Sequence, residues 1–324
     1  MRFRAVLLVA VCFLVFATAR AEVLPEWAYP VLDPSVKPYA DDGPHSLAGS
    51  AAQFTWPQLY NSMVAADWFP ESHPPMPAAV ARGTPPDVYA CGMCHQPNGA
   101  GRPENASLAG LPAAYILQQL ADMKSGARRS SGAEAGPEIR MVSSAAHVAQ
   151  ADAEAAAAYF AALPYRPTVR VVETERVPVT ALIAGSLRAP VAGAGSEPIG
   201  QRVIEIPEDL ERVKLHDPRA TFIAYVPPGS IARGEAIAAG AGGSVPCATC
   251  HGAALQGQVL GEASVPPIAG RSALYIVRQL YDIRHGARAG AWSALMAPVV
   301  AGMELEDMIA VAAYVASRPV VGTP

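Results

Sequence analysis

The chain has 324 residues, 51% hydrophobic and 16% charged, with a formal net charge of −4. That length suits about two domains, at roughly 100 to 200 residues each. The acidic balance gives no support to nucleic-acid binding, which depends on Lys and Arg neutralising phosphates.

Residues 1–21 read as a signal peptide. Arg2 and Arg4 precede an apolar run from Ala5 to Ala19, and Ala19-Arg20-Ala21 forms a small-x-small cleavage site. The run falls short of the roughly 20 residues that a membrane span needs. Export to the periplasm is expected, with the mature chain starting at Glu22; membrane association is expected only if the segment stays uncleaved. Cleavage removes Cys12, leaving four cysteines, and also removes Arg2, Arg4 and Arg20. Lys plus Arg then falls from 24 to 21 against 28 Asp plus Glu, a formal charge of −7. Residues 22–80, rich in Pro and carrying Trp27, Trp56 and Trp68, read as an irregular arm wrapped over a domain, with too much apolar content for a disordered tail.

Cys91-Gly-Met-Cys94-His95 follows, and Cys247-Ala-Thr-Cys250-His251 repeats it later. Cys-x-x-Cys-His is the pattern of covalent c-type haem attachment: two thiols add to the haem vinyl groups and the adjacent imidazole reaches the iron. A zinc ribbon would place its second Cys pair about 15 to 20 residues after the first. Here 152 residues intervene. A dithiol redox motif has no need of the adjoining His, still less twice. Two covalently attached c-type haems are therefore expected, using all four remaining cysteines.

The similarity continues beyond the Cys pairs. Leu108-Ala-Gly to Gly126-Ala-Arg128 aligns with Ile268-Ala-Gly to Gly286-Ala-Arg288 at an offset of 160, and Ala157 to Pro164 aligns with Ala312 to Pro319 at 155. This is a duplicated domain, since the period is far too long for a solenoid. Each copy reads as helical: a short helix with the Cys pair, then Ala113 to Lys124 capped by Gly126, then a stretch capped by Asp152 and stopped by Pro164. In the second copy the corresponding helices run from Ala273 to Arg284 and from Glu304 to Ser317. Tyr115, Tyr159, Tyr275 and Tyr314 are expected to pack helices together. The expected domains are 81–165 and 227–320. The connector 166–226 is expected to hold short strands near Thr168–Glu173 and Val203–Ile206, where β-branched residues cluster.

Each iron needs a sixth ligand. Met141 lies 46 residues after His95 and Met296 lies 45 after His251, and both precede the final Pro of their copy by 23. A thioether favours reduced iron and suits electron transfer. The expected ligands are thus His95 with Met141 and His251 with Met296. His147 is the rival to Met141, although Gly302 stands at its aligned position, and Met76 is a minor alternative. Met123, Met303 and Met308 read as core fillers, and His45, His73, His216 and His285 as surface or loop residues. Arg128 and Arg288, matched between the copies, suit either a haem propionate or the C-terminal dipole of a helix.

Cys-x-x-Cys-His, Ala-Gly with Tyr-x-x-x-Gln-Leu, Gly-x-Arg, a Met and a final Ala-Tyr helix together resemble the class I cytochrome c domain in its two-haem bacterial form. The resemblance implies a mainly α fold, two tandem class I cytochrome c-like domains, with His/Met ligation. It also implies electron shuttling between a dehydrogenase or respiratory complex and an oxidase or other terminal acceptor. The long arm and connector depart from compact members. A haem enzyme of two-haem peroxidase type, and an electron-accepting subunit of a dehydrogenase complex, are the alternatives.

Overall fold

The computed structural model describes residues 24–29, 31, 39–40, 42–132, 137–183 and 187–320; the expected signal peptide lies outside them. The fold is mainly α-helical, two tandem class I cytochrome c-like domains with small sheets between them. Short helices Cys91–His95 and Cys247–His251 carry the Cys pairs. Helix Ala113–Ser125 ends at Gly126, whose φ of 78° is the left-handed conformation that a C-terminal cap requires. Its counterpart Ala273–Arg284 is capped by the Ser272 hydroxyl, which accepts from the Tyr275 N–H. The final helices are Gln150–Ala162 and Leu305–Ser317. Asp152 is not the cap expected of it: the helix starts two residues earlier behind Ala149, and the carboxylate stands in the first turn, where the macrodipole favours it.

A further helix, Pro137–His147, was not legible in the sequence. In the second copy the same stretch is broken into a 3-10 turn Ser293–Leu295 and the short helix Ala297–Val300. Pro298 explains the break, because it has no N–H to continue the hydrogen-bond ladder of the preceding turn.

The two cores differ in how the chain enters them. In the second copy helix Ser230–Ala238 crosses Leu305–Ser317, whose Met308, Ile309, Ala312 and Ala313 are buried. Gly234 sits at the crossing, where any Cβ would collide with the Ala310 carbonyl and the Tyr314 Cβ. In the first copy the entering chain contributes just the single turn Ala78–Ala81 to the packing on Gln150–Ala162, beside helix Ala113–Ser125, and this brings Val80 to the core with Ile116, Ala157 and Phe160.

The connector is a small β unit. Val169–Glu173 pairs in parallel with Phe222–Val226, which pairs antiparallel with Ile204–Pro207. Two antiparallel pairings, Arg176–Pro178 with Ser196–Pro198 and Thr180–Ile183 with Leu187–Pro190, lie between them in sequence. The arm covers this unit as well as the helical domains. Trp68, 1% exposed, packs with Leu59 and Leu215 and donates its indole N–H to the Leu215 carbonyl at 2.6 Å. Farther upstream, Ala28 and Tyr29 join the core of the second copy, and the Tyr29 hydroxyl donates to Asp282 at 2.7 Å.

Glu205 ties the connector to the second copy. Its carboxylate, 1% exposed, accepts from the Ser272 hydroxyl at 2.7 Å and the Leu274 N–H at 3.2 Å. Burial pushes its pKa up to about 7 against those hydrogen bonds. The unfolded value is about 4.3, so the folded protein binds the extra proton between the two values. Stability therefore declines as pH rises from about 4 towards 7.

Two outcomes follow from this packing. Gly234→Ala is expected to cost about 1–3 kcal/mol in urea unfolding, as overpacking does where backbone blocks the added methyl. Glu205→Gln keeps an acceptor oxygen but no titrating proton; unfolding at pH 5 and pH 8 is expected to show the variant gaining on the wild type at the higher pH.

Candidate functional site

Each Cys pair opens on an apolar cavity. The first, about 1480 Å³ with its mouth, is lined by Cys91, Cys94, His95 and Met141, backed by Leu108, Ile116 and Phe160. The second, about 1490 Å³, is lined by Cys247, Cys250, His251 and Met296, backed by Ile268, Val311 and Val315. Each set of four residues expected from sequence thus converges on one cavity.

The imidazoles are held in one tautomer. His95 Nδ1 donates to the Ala106 carbonyl at 2.7 Å and His251 Nδ1 to the Pro266 carbonyl at 2.9 Å, which leaves Nε2 with the open lone pair. Burial lowers the pKa of both; the carbonyls oppose the shift, and Arg128 and Arg288 respectively add to it. The neutral ring, the form that ligates a metal, is thereby favoured. Gly101 and Gly257 make these contacts reachable. Both have positive φ, and a Cβ there would strike the Ala106 carbonyl at 2.5 Å or the Val265 carbonyl at 2.7 Å, in the segments that supply the acceptors.

The surroundings of the thiols favour their protonated form. All four cysteines are free, and burial pushes Cys91 up to about 12 and raises Cys94 and Cys247 as well, whereas reactive thiols are held low. Among the described residues no group of three or more His, Cys, Asp or Glu could hold a metal ion. A pair of thiols beside a neutral imidazole, on an apolar cavity, fits a covalently attached haem.

Met141 lies on Pro137–His147 and Met296 at the junction of the 3-10 turn and Ala297–Val300. His147 is exposed, and its Nδ1 donates to the Ser143 carbonyl one turn back. Met303 and Met308 fill the second core as expected, Met303 reaching the cavity wall as well, whereas Met123 lines the first cavity and belongs to no buried cluster among the described residues. Met76 packs at the edge of the first core. His45 pairs with Asp42, and His285 stacks on Tyr281. His73 and His216 lie in loops as expected but have built-in partners: His73 bonds Asp67 and Tyr159, and His216 is 4% exposed against the Tyr60 ring.

The arginines do something the sequence reading did not foresee. Arg128 donates to Gln119 at 2.9 Å and then crosses to the other copy, to the Tyr275 hydroxyl and Gln279, both at 3.1 Å. Arg288 mirrors it, donating to Gln279 at 3.0 Å and across to the Tyr115 hydroxyl at 2.9 Å and Gln119 at 3.0 Å. The backbones pair alongside, through Arg129 N–H to the Ala287 carbonyl and Ala289 N–H to the Ala127 carbonyl. Tyr115, Gln119, Tyr275 and Gln279 line both cavities. Burial acts to raise the Tyr275 phenol, but the charges of Arg128 and Arg288 outweigh it and lower the pKa. Tyr115 and Tyr275 are therefore interdomain contacts as well as packing residues. Tyr159 also uses its hydroxyl, donating to the Pro97 carbonyl at 2.7 Å. The available signal was a polar Tyr-x-x-x-Gln pair, one turn apart on a core helix, repeated at a constant offset.

The family model described as Cytochrome c matches residues 231–319. Cytochrome c-554(548) of Halomonas halodenitrificans is 36% identical over 72 residues, 22% of this chain and 83% of that protein. The chain belongs to the cytochrome c family. Cytochrome c4 of Azotobacter vinelandii is 24% identical over 228 residues, 69% of this chain and 82% of that protein. The thiosulfate dehydrogenase electron acceptor of Stutzerimonas stutzeri is 42% identical over 73 residues, 22% of this chain. Of that protein's length the chain spans only 32%. This cytochrome c is thus related to cytochrome c4 and to a dehydrogenase's electron acceptor.

The crossed contact is testable by a double-mutant cycle. Arg288→Leu and Tyr115→Phe are expected to show a coupling free energy on the order of 1 kcal/mol or more in denaturant unfolding. Additive effects would mean that the contact contributes nothing of its own.

Proposed function

We propose that this cytochrome c is a periplasmic two-haem electron carrier, with domains at 81–165 and 227–320. The observation that carries the reading is the repeated convergence of a Cys pair, a tautomer-fixed His and a Met on one apolar cavity. Cys91 with Cys94, and Cys247 with Cys250, would hold the two haems by thioether bonds. His95 and His251 would ligate the iron through Nε2, with Met141 and Met296 as the second protein ligands. The bound haem iron supplies reversible one-electron chemistry.

The protein's own contribution is positional. The Ala106 and Pro266 carbonyls hold the imidazoles in orientation, the apolar walls limit water, and a Met ligand would leave no place for a substrate. No base or nucleophile is required, so the reading is of a carrier and not an enzyme. The shared Tyr-Gln-Arg layer places the two sites side by side and supports passage of an electron between them. Resemblance to a thiosulfate dehydrogenase electron acceptor supports a dehydrogenase as the electron-donating partner, with the chain as a free shuttle or as a subunit of the complex.

Wild type is expected to carry two haems per chain in a pyridine haemochrome assay. Met141→Ala and Met296→Ala are each expected to remove part of the far-red Met-to-iron absorption of the ferric protein. An unchanged band in either variant would overturn that ligand assignment, and a native high-spin iron that reacts with peroxide would favour the enzyme.

A further inference from the structure

A buried carboxylate of the connector stands at the head of one cavity wall. Glu205 lies on strand Ile204–Pro207, and its Oε2 accepts from the Ser272 hydroxyl at 2.7 Å and the Leu274 N–H at 3.2 Å. Its Oε1 is buried without a hydrogen-bond partner among the described residues. Ser272 lines the second cavity, and the helix it caps, Ala273–Arg284, supplies Tyr275, Ile276 and Gln279 to the same wall. The first copy has no such link. At the offset of 160, Pro112 stands where Ser272 does, and it offers no hydroxyl to a carboxylate.

The groups that face Glu205 do not fix its charge. From Ala273–Arg284 comes Arg278, whose N–H groups are donated to the Ala28 and Pro103 carbonyls. From the loop after the first Cys pair comes Glu104, of like sign, and from the end of the first copy the Tyr165 phenol. On the adjoining strands Tyr225 pairs with Ile204, and Arg188 is set between Arg202 and Glu197. Arg271, which stands where the first copy has Leu111, turns away to Ser107, Ala109 and the Tyr165 ring. Burial, which pushes the Glu205 pKa up to about 7, thus meets only two hydrogen bonds and no salt bridge among the described residues. A charge at this place acts through a low effective dielectric, so the ionised carboxylate opposes an added electron in the cavity and the neutral acid does not.

We propose that Glu205 couples reduction at the second site to proton uptake: as the site gains an electron from the redox partner, the carboxylate takes a proton from solvent and becomes a carboxylic acid. The proton returns to solvent when the electron leaves, and nothing else is consumed. This rests on the reading above that the second cavity holds a haem. Glu205 is a positioning residue, acting through its charge from behind Ser272 and the helix that Ser272 caps.

Redox titration of the far-red band against pH tests the proposal. In M141H the band reports the second site alone, and in M296H the first alone. The M141H reduction constant is expected to fall about tenfold between pH 5 and pH 9, about 59 mV for one electron. M141H/E205Q, with a permanently neutral side chain, is expected to hold near the pH 5 value. M141H/S272A, which removes a hydrogen bond to the ionised form, is expected to move the fall to higher pH. E205Q is expected to change the M296H profile far less. In weak buffer with an indicator dye, reduction of the unsubstituted protein at pH 7 is expected to take up protons, and reduction of E205Q fewer. A flat M141H profile or the absence of proton uptake would overturn the proposal. So would an equal fall in M141H and M141H/E205Q with both haems attached, or an E205Q change as large at the first site as at the second. An unsubstituted chain carrying fewer than two haems would instead defeat the underlying two-haem reading.

Discussion

The structure turns on the crossed contact in which each copy's arginine is received by the other copy's Tyr and Gln. Arg128 and Arg288 are drawn from water with neutral groups as their side-chain hydrogen-bond partners among the described residues, and a buried cation is tolerable only if its N–H groups are met. Gln119, Gln279, Tyr115 and Tyr275 meet them, each from a helix that also forms a cavity wall. The same hydrogen bonds therefore dock the domains and form the partition between the two sites. Losing one arginine would leave polar groups of both copies unpaired at once.

Within each copy the chemistry depends on a second constraint, the backbone carbonyl behind the imidazole. Ala106 and Pro266 act only because the loops from His95 and His251 double back tightly, with Gly101 and Gly257 at positive φ. The Gly101 and Gly257 N–H groups close those loops by donating to the carbonyls of His95 and His251. The orientation of each His is thus built into the backbone and owes nothing to a charged partner. Arg271 adds to this frame from the other domain, holding Ser107 and Ala109 just beyond the Ala106 acceptor.

The arm and the connector show how the chain supports an otherwise compact pair of domains. Residues 42–80 bury Trp68, Leu59 and Phe69 around Leu215 of the connector, and the connector sends Glu205 to the start of Ala273–Arg284. Asn98, just after the first Cys pair, donates to the Pro218 carbonyl and so binds the first copy to the same unit. Segments without helical periodicity thus become the outer brace of the helical core.

The sequence by itself determined what was local or repeated. The Cys-x-x-Cys-His spacing, the main helices and the two short strands follow from periodicity, caps and β-branched clusters, because those signals act over a few residues. The duplication located Met141 and Met296 at matched positions, and the fold brought both to cavity walls. Only the tertiary structure decided the rest. The cross-domain partners of Arg128 and Arg288 lie more than a hundred residues away, so neither a propionate nor a helix dipole could be chosen or rejected from spacing. Helix Pro137–His147 was missed although its few apolar residues fall at helical spacing, and the burial of His216 and Trp68 depends on the arm meeting the connector. Arg271 was visible as a mismatch with Leu111, but a charge acquires meaning only from what stands opposite it, and that is settled when two distant surfaces close.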